Sequence, residues 1–332
     1  MESQVKFKVG SLYAGVGGIC LGFINSGYDI SWANEYDKNA CITYKENFSH
    51  KLIEGDVMEI NISSLESIDV LTGGFPCQPF SVAGYRKGFD DNRGNHFFRM
   101  LDFIDEMRPK VLLFENVKNL VGHDRGNTFQ VIKNEIEQRG YTFFSKVLNT
   151  KDYGNIPHNR ERIFIIGFDK HVYPNSSYLF KFPKKENLVK SVEDVILEEK
   201  VDELYYYRED KFIFNILNDS VINSNTIYQF RRHYVRENKS KVCPTLTANM
   251  GTGGHNVPLI RTNHGIRKLT PRECFRFQGF PDSFNLPNIA NSHLYKQAGN
   301  SVSVPVIEKI AQNILKTISG ISCTEEDEIS FS

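Results

Sequence analysis

The feature that most constrains this chain is an alternation in its first half. Short β-type runs at Lys6 to Tyr13, Asp29 to Asn34, Ile68 to Thr72, Val111 to Phe114, Phe143 to Leu148 and Ile163 to Phe168 are separated by stretches with helical period, as over Phe97 to Met107 and Thr128 to Arg139. Parallel strands need crossover connections, so strands alternating with helices predict an α/β fold with a doubly wound parallel sheet. Ligands of such a sheet belong at the carboxyl ends of its strands. Around His171 to Lys200 the pattern gives way to Pro174-Asn175-Ser176-Ser177 and Pro183-Lys184-Lys185-Glu186, which predicts a domain boundary. An amphipathic helix is expected over Val304 to Ile318, ahead of the acidic run Glu325-Glu326-Asp327-Glu328.

The length of 332 residues corresponds to about two domains. Apolar runs such as Val111 to Phe114 are far short of the ~18 residues that span a bilayer, so no membrane role is expected. Met1-Glu2-Ser3-Gln4-Val5-Lys6 has no apolar signal region, and the 6 cysteines show no C-x-x-C pair, which together predict a reduced, cytoplasmic protein without a metal site. Net charge is zero, which argues against nonspecific coating of nucleic acid, but its distribution is uneven. Between Lys211 and Thr270 only Asp219 and Glu237 oppose Lys211, Arg231, Arg232, Arg236, Lys239, Lys241, Arg261, Arg267 and Lys268, so that window carries +7 and the remainder −7.

Four places can carry chemistry. The first strand runs into Ala14-Gly15-Val16-Gly17-Gly18, where bare backbone N–H groups can approach a ligand at a helix N-terminus. Cys20 stands where the dinucleotide fingerprint has its third glycine, which removes the main support for hydride transfer. Glu35, about 20 positions on, lies where a carboxylate can accept from ribose hydroxyls, and Asp56 lies where a third strand would end, so a nucleoside-bearing cofactor is expected. In Gly73-Gly74-Phe75-Pro76-Cys77-Gln78-Pro79 two prolines exclude regular helix and hold a thiol in a stiff loop. Glu115, following Val111 to Phe114, projects from the same sheet edge if the strands are parallel neighbours, and apolar surroundings would raise its pKa. Arg160 and Arg162 lead into the last strand and, spaced by two, are expected to point at one anion or carbonyl.

These blocks together resemble the DNA cytosine-5 methyltransferases of bacterial restriction-modification systems. They stand in family order over nearly the whole chain: Leu12 to Gly18, Pro76-Cys77-Gln78, Glu115-Asn116-Val117, Arg160-Glu161-Arg162, Arg267 to Glu273 and Gln297-Ala298-Gly299-Asn300-Ser301-Val302. The resemblance implies a Rossmann-like methyltransferase sheet that uses S-adenosylmethionine, with a smaller, mostly β or irregular target-recognition domain. On that pattern residues 1–178 are the catalytic and cofactor-binding domain, 179–290 the target-recognition domain, 291–320 a segment completing the catalytic domain and 321–332 a flexible acidic tail.

The implied roles follow from the chemistry of cytosine, whose carbon 5 is a poor nucleophile until a thiolate adds to carbon 6. Cys77 would be that thiolate, Glu115 would protonate ring nitrogen 3, Arg162 would hold the base carbonyl and Arg160 would support the loop or a phosphate. The base must first be flipped out of the duplex. Tyr13 is implied near the adenine, Gly15 and Gly17 beneath the methionine portion, Glu35 on the ribose, Asp56 at the adenine amine and Asn300, Ser301 and Val302 at the methionine end. Ala14, Gly18, Tyr36 and Pro76 complete the implied cofactor set. Double-stranded DNA would meet Arg231, Arg232, Arg236, Lys239, Lys241, Thr245, Gly253 and Gly254, with the protein acting as a monomer beside a cognate restriction endonuclease. Ser11, His96 and His158 depart from the common pattern. A sister branch that methylates cytosine in transfer RNA shares the catalytic blocks, but the basic insert with its Thr245-Leu246-Thr247-Ala248 segment favours DNA. A catalytically dead binding module is disfavoured because Cys77, Glu115, Arg160 and Arg162 are all present.

Overall fold

The computed structural model describes residues 6–76, 95–196, 200–253 and 255–321. Strands β1 (Lys8–Leu12), β2 (Asp29–Glu35), β3 (Lys51–Glu54), β4 (Val70–Gly73), β5 (Val111–Val117), β6 (Phe144–Asn149) and, after the two-residue β7 (His158–Asn159), β8 (Glu161–Phe168) build the main body. All but β7 form one seven-stranded sheet in the order β3-β2-β1-β4-β5-β8-β6. The strands from β3 to β5 are mutually parallel, as the alternation predicts. One strand differs from a wholly parallel expectation: β8 runs antiparallel to both β5 and β6, so that the edge strand β6 again points the same way as β5. Strands buried on both faces read as continuous apolar runs. In β5, Val111 and Leu113 enter the core on one face, and Leu112 and Phe114 the core on the other.

Helices α1 (Gly18–Asn25), α2 (Lys38–Lys45), α3 (Asn95–Met107) and α4 (Asn127–Gln138) follow strands in this body. Further on come α5 (Pro271–Arg276), α6 (Asn291–Asn300) and α7 (Val304–Ile318). Helix α7 carries Val304, Ile307, Ile310, Ala311 and Ile314 on one buried stripe, spaced three and four apart. That stripe returns to the N-terminal helix. A Cβ on Gly22 would lie 2.6 Å from the Ile307 side chain, and the Tyr28 hydroxyl donates to the Ala311 carbonyl at 3.1 Å. Burial of each such isoleucine contributes roughly 1.5–3 kcal/mol, so the last helix is integral to the core built by the first.

The second body is a four-stranded antiparallel sheet, β10 (Tyr234–Glu237), β9 (Tyr228–Arg231), β12 (Leu259–Thr262) and β13 (Gly265–Lys268), packed on a short helix, Phe214–Ser220. The short parallel bridge between β11 (Cys243–Pro244) and β7 joins it to the main body. Both ends of the expected unit 179–290 make contact with the main body. Phe180 is buried with Phe168 in the core of the large sheet, and Phe275, Phe280 and Phe284 cluster beside Phe48 of the main body.

Candidate active site

The glycine turn after β1 opens a cavity of about 550 Å3 at the carboxyl ends of β1, β2 and β3. Its wall includes Tyr13, Gly15, Glu35, Tyr36, Asp56, Pro76, Asn300 and Ser301. A second, narrower cavity of about 60 Å3 shares Tyr13, Gly15, Asn300 and Ser301 with it and is also lined by Ala14, Gly18, Val302 and Glu115. Gly15 has φ +59°, and a Cβ built there meets nothing within 4 Å, so backbone conformation and not crowding asks for glycine. Gly18 is the opposite case, since its Cβ would lie 2.8 Å from the Ser301 hydroxyl and 2.9 Å from Val302. Gly17 caps α1 with φ +87° and packs against Phe48 and Tyr44 rather than lining either cavity.

Glu35 is held by backbone. One carboxylate oxygen accepts from Gly15 N at 2.7 Å, and the other from Tyr36 N at 2.9 Å and Asp37 N at 2.7 Å. These three bonds use most of the ~four lone-pair positions of a carboxylate and lock its direction into the cavity. Asp56 accepts from Met58 N at 2.9 Å at the start of a 3-10 turn. Tyr13, with φ +54°, stands edge-on to His96 and donates its hydroxyl to the His96 carbonyl at 3.2 Å.

The narrow cavity leads to a buried acid. Glu115 is 9% exposed, and its carboxylate pairs with Arg162 Nε at 3.0 Å. Burial raises its pKa above the ordinary carboxylate value, and the charges of Arg162 and Arg160 oppose that rise. Asn116, next on β5, donates to the Phe75 carbonyl at 2.9 Å, which ties the strand end to the loop entering Pro76. Gly74 lies 3.5 Å, measured from a built Cβ, from the second Glu115 oxygen. Cys77 lies outside the described residues.

Arg160 and Arg162 do not converge as their spacing suggests. Arg160 falls between β7 and β8 and is 2% exposed. Its guanidinium donates to the carbonyls of Leu246 at 3.1 Å and Gly299 at 3.2 Å, and to that of Ser301. Burial lowers its pKa to about 9, with the Arg162 charge adding and Glu115 opposing, so it stays cationic at neutral pH.

In the second body Arg231, Arg232, Arg236, Lys239 and Lys241 are all exposed on the β9–β10 hairpin and the turn after it. Thr245 donates its hydroxyl inward, to the Asn159 carbonyl at 2.6 Å. Gly253 has φ +91°, and Gly254 lies outside the described residues. The cavity wall also includes Asp37, His96, Lys296 and Gln297, which sequence reasoning did not assign to the site. Lys296 pairs with Asp37 at 2.6 Å although the two are 259 positions apart. A signal existed in part: Lys296 and Gln297 lie one helical turn before Asn300 on α6.

Residues 7–316 match the family model described as C-5 cytosine-specific DNA methylase. The Type II methyltransferase M.Bsp6I of Bacillus sp. (strain RFL6) is 58% identical over 316 residues, covering 94% of this chain and 99% of the relative. The Type II methyltransferase M.HhaI of Haemophilus parahaemolyticus is 38% identical over 317 residues, covering 91% and 92%. In fold the chain is similar to a prophage-encoded DNA modification methyltransferase of E. coli, with a TM-score of 0.70 at 23% identity, covering 95% of this chain and 100% of that one. It is likewise similar to S. pombe Dnmt2 methyltransferase, with a TM-score of 0.71 at 20% identity over 94% and 99% of the two chains. No described helix is long and apolar enough to cross a membrane. With a family model spanning nearly the whole chain and a relative sharing more than half its residues, this chain belongs to the C-5 cytosine-specific DNA methylases and is a DNA cytosine-5 methyltransferase.

Proposed function

We propose that the two joined cavities divide one reaction, with S-adenosylmethionine held on the Glu35 side and a flipped cytosine of a specific double-stranded DNA site presented on the Glu115 side. The observation that carries this reading is the shared wall: Tyr13, Gly15, Asn300 and Ser301 border both spaces, and Glu115 closes the narrower one. The wide cavity suits the cofactor by its donor set. Glu35 keeps one acceptor position, on the oxygen bonded to Gly15 N, for a ribose hydroxyl, Asp56 and Tyr13 line the side proposed for the purine, and the glycine turn leaves backbone open beneath the methionine portion. When bound, S-adenosylmethionine supplies the methyl group that carbon 5 receives.

The residues of the chain prepare that carbon. The Cys77 sulfur bonds to carbon 6, which makes carbon 5 enamine-like and builds charge on the ring. Glu115, whose raised pKa favours a retained proton, donates to ring nitrogen 3. Arg162 uses Nε for Glu115 and Nη1 for the Glu161 carbonyl, and its other nitrogen would donate to the base carbonyl. After transfer, solvent water takes the carbon 5 proton, the freed electron pair re-forms the ring double bond and expels the Cys77 thiolate, and ring nitrogen 3 returns its proton to Glu115. The exposed cations of the β9–β10 hairpin contact DNA, and pairing with a restriction endonuclease and a place in the bacterial cytoplasm follow the Type II relatives.

The test is bisulfite sequencing of DNA from cells expressing the protein. Protected cytosines are expected at one recurring sequence, and none with Cys77→Ala. Protection confined to transfer RNA would overturn the reading in favour of the sister branch.

A further inference from the structure

The peptide group of Leu246 is held from both sides. Its N–H donates to His158 Nε2 at 3.2 Å, and its carbonyl accepts from Arg160 Nη1 at 3.1 Å. A backbone N–H can only donate and a carbonyl can only accept, so His158 is neutral, accepting at Nε2 and donating from Nδ1 to the Phe277 carbonyl at 2.9 Å. Both side chains are almost completely buried. They leave the main body in the stretch that pairs with β11, and Cys243 N adds a bond to the Pro157 carbonyl at 2.6 Å.

The same Arg160 guanidinium holds Gly299 and Ser301, the end of α6 that borders the proposed cofactor cavity. The segment after Leu246 lies directly on that helix. A Cβ on Gly299 would come within 2.2 Å of the Thr247 carbonyl carbon, and one on Gly251 within 2.1 Å of the Ser292 carbonyl oxygen. Gln278, beside Phe277, donates to the Ala298 carbonyl at 2.7 Å. Neither backbone can shift against the other without breaking these contacts, because packed interfaces move between discrete arrangements and do not deform continuously.

We propose that His158 and Arg160 are positioning residues that lock the 245–252 segment of the second body to the cofactor-cavity wall, so that filling the cofactor cavity steadies that segment. The inference rests on the reading that the wide cavity takes S-adenosylmethionine.

Hydrogen exchange of the full-length protein tests it without knowledge of the DNA site, with S-adenosylhomocysteine as the probe. The peptide covering 243–252 should exchange at least about fivefold more slowly when the probe is bound, although Leu246 and Thr247 do not line the cavity. His158→Leu removes both side-chain bonds and should bind the probe in calorimetry yet lose this remote protection. His158→Gln, whose amide can both donate and accept, should restore it. Arg160→Lys, which cannot reach three carbonyls at once, should lose it too and gives a second route if the leucine variant does not fold. Unchanged exchange of 243–252 in wild type with the probe demonstrably bound, or protection persisting in folded His158→Leu, overturns the proposal. Failure of the probe to bind wild type would instead overturn the cofactor reading.

Discussion

The rim of the proposed cofactor cavity and the basic hairpin are both polar, yet they are built differently. At the rim, side chains are gripped by the fold: Glu35 accepts three backbone amides, and Asp37 caps α2 while pairing with Lys296. On the hairpin, Arg231, Arg232, Arg236, Lys239 and Lys241 stand exposed, and Arg231 reaches only as far as Gln229 on its own strand. A ligand that never changes can be met by groups whose directions are set in advance, which lowers the ordering cost of binding. A contact that is free to change is better made by exposed side chains, whose replacement leaves the fold intact. Stability and cofactor geometry therefore concentrate in the first region, and freedom to vary in the second.

Several experiments sharpen or break this contrast. The largest effect is expected at the chemical centre, where Cys77→Ala should lower methyl transfer to DNA by at least ~10^3-fold while leaving S-adenosylhomocysteine binding intact. Glu115→Gln should cost ~10^2–10^4-fold in the transfer rate, and a rate within tenfold of wild type would remove the acid from the mechanism. Next comes the rim: Glu35→Ala removes charge-assisted bonds worth roughly 1.5–3 kcal/mol each, so cofactor affinity in titration calorimetry should fall about ten- to a hundredfold. Unchanged affinity would mean the gripped carboxylate only shapes the turn.

On the hairpin, substitution should leave thermal stability within about 0.5 kcal/mol of wild type, since the side chains are exposed. Replacing an arginine that reads guanine should cost ~1–3 kcal/mol on the cognate site and relax selectivity, whereas a phosphate contact should lower the salt slope by about one. Exchange of residues 228–261 for those of a relative with another specificity should move the methylated sequence. Retention of the original site would place recognition in loops of the main body.

The smallest effect concerns pH. Burial, with the Arg160 charge adding to it, holds His158 well below its ordinary pKa. In the unfolded chain it titrates near ~6.5, so below that pH the unfolded state binds a proton that the native state excludes. Stability should fall as pH drops below about 6.5, by no more than ~1.4 kcal/mol per unit from this group, with no contribution above it. Thermal melts between about pH 5 and 7 should show a shallower acid slope for His158→Gln, and identical slopes would assign the loss to other groups.

Much of the sheet was legible because its signal is local. Val111 to Phe114 announces a strand buried on both faces, and the stripe of Val304, Ile307, Ile310 and Ile314 announces a core-facing helix in the span the structure gives it. Glu35 and Gly15 were legible as a pair because the spacing from a glycine turn to the acid ending the next strand is set by the length of one β-α-β unit. The reversal of β8 was not, because a buried strand has the same composition whichever way it runs.

What the sequence by itself determined here is the alternating sheet, the glycine turn with its acid, the order of the family blocks and the basic window, all properties of short stretches or their spacing. What only the tertiary structure decided is which of those groups meet. Arg160 and Arg162 look equivalent in sequence, yet one is spent on three carbonyls near residues 246 to 301 and the other faces Glu115. Lys296 joins Asp37 only because α6 folds back over α2. Such contacts depend on the packing of elements far apart in the chain, where the loss of unpaired polar groups on burial selects partners that no local pattern encodes.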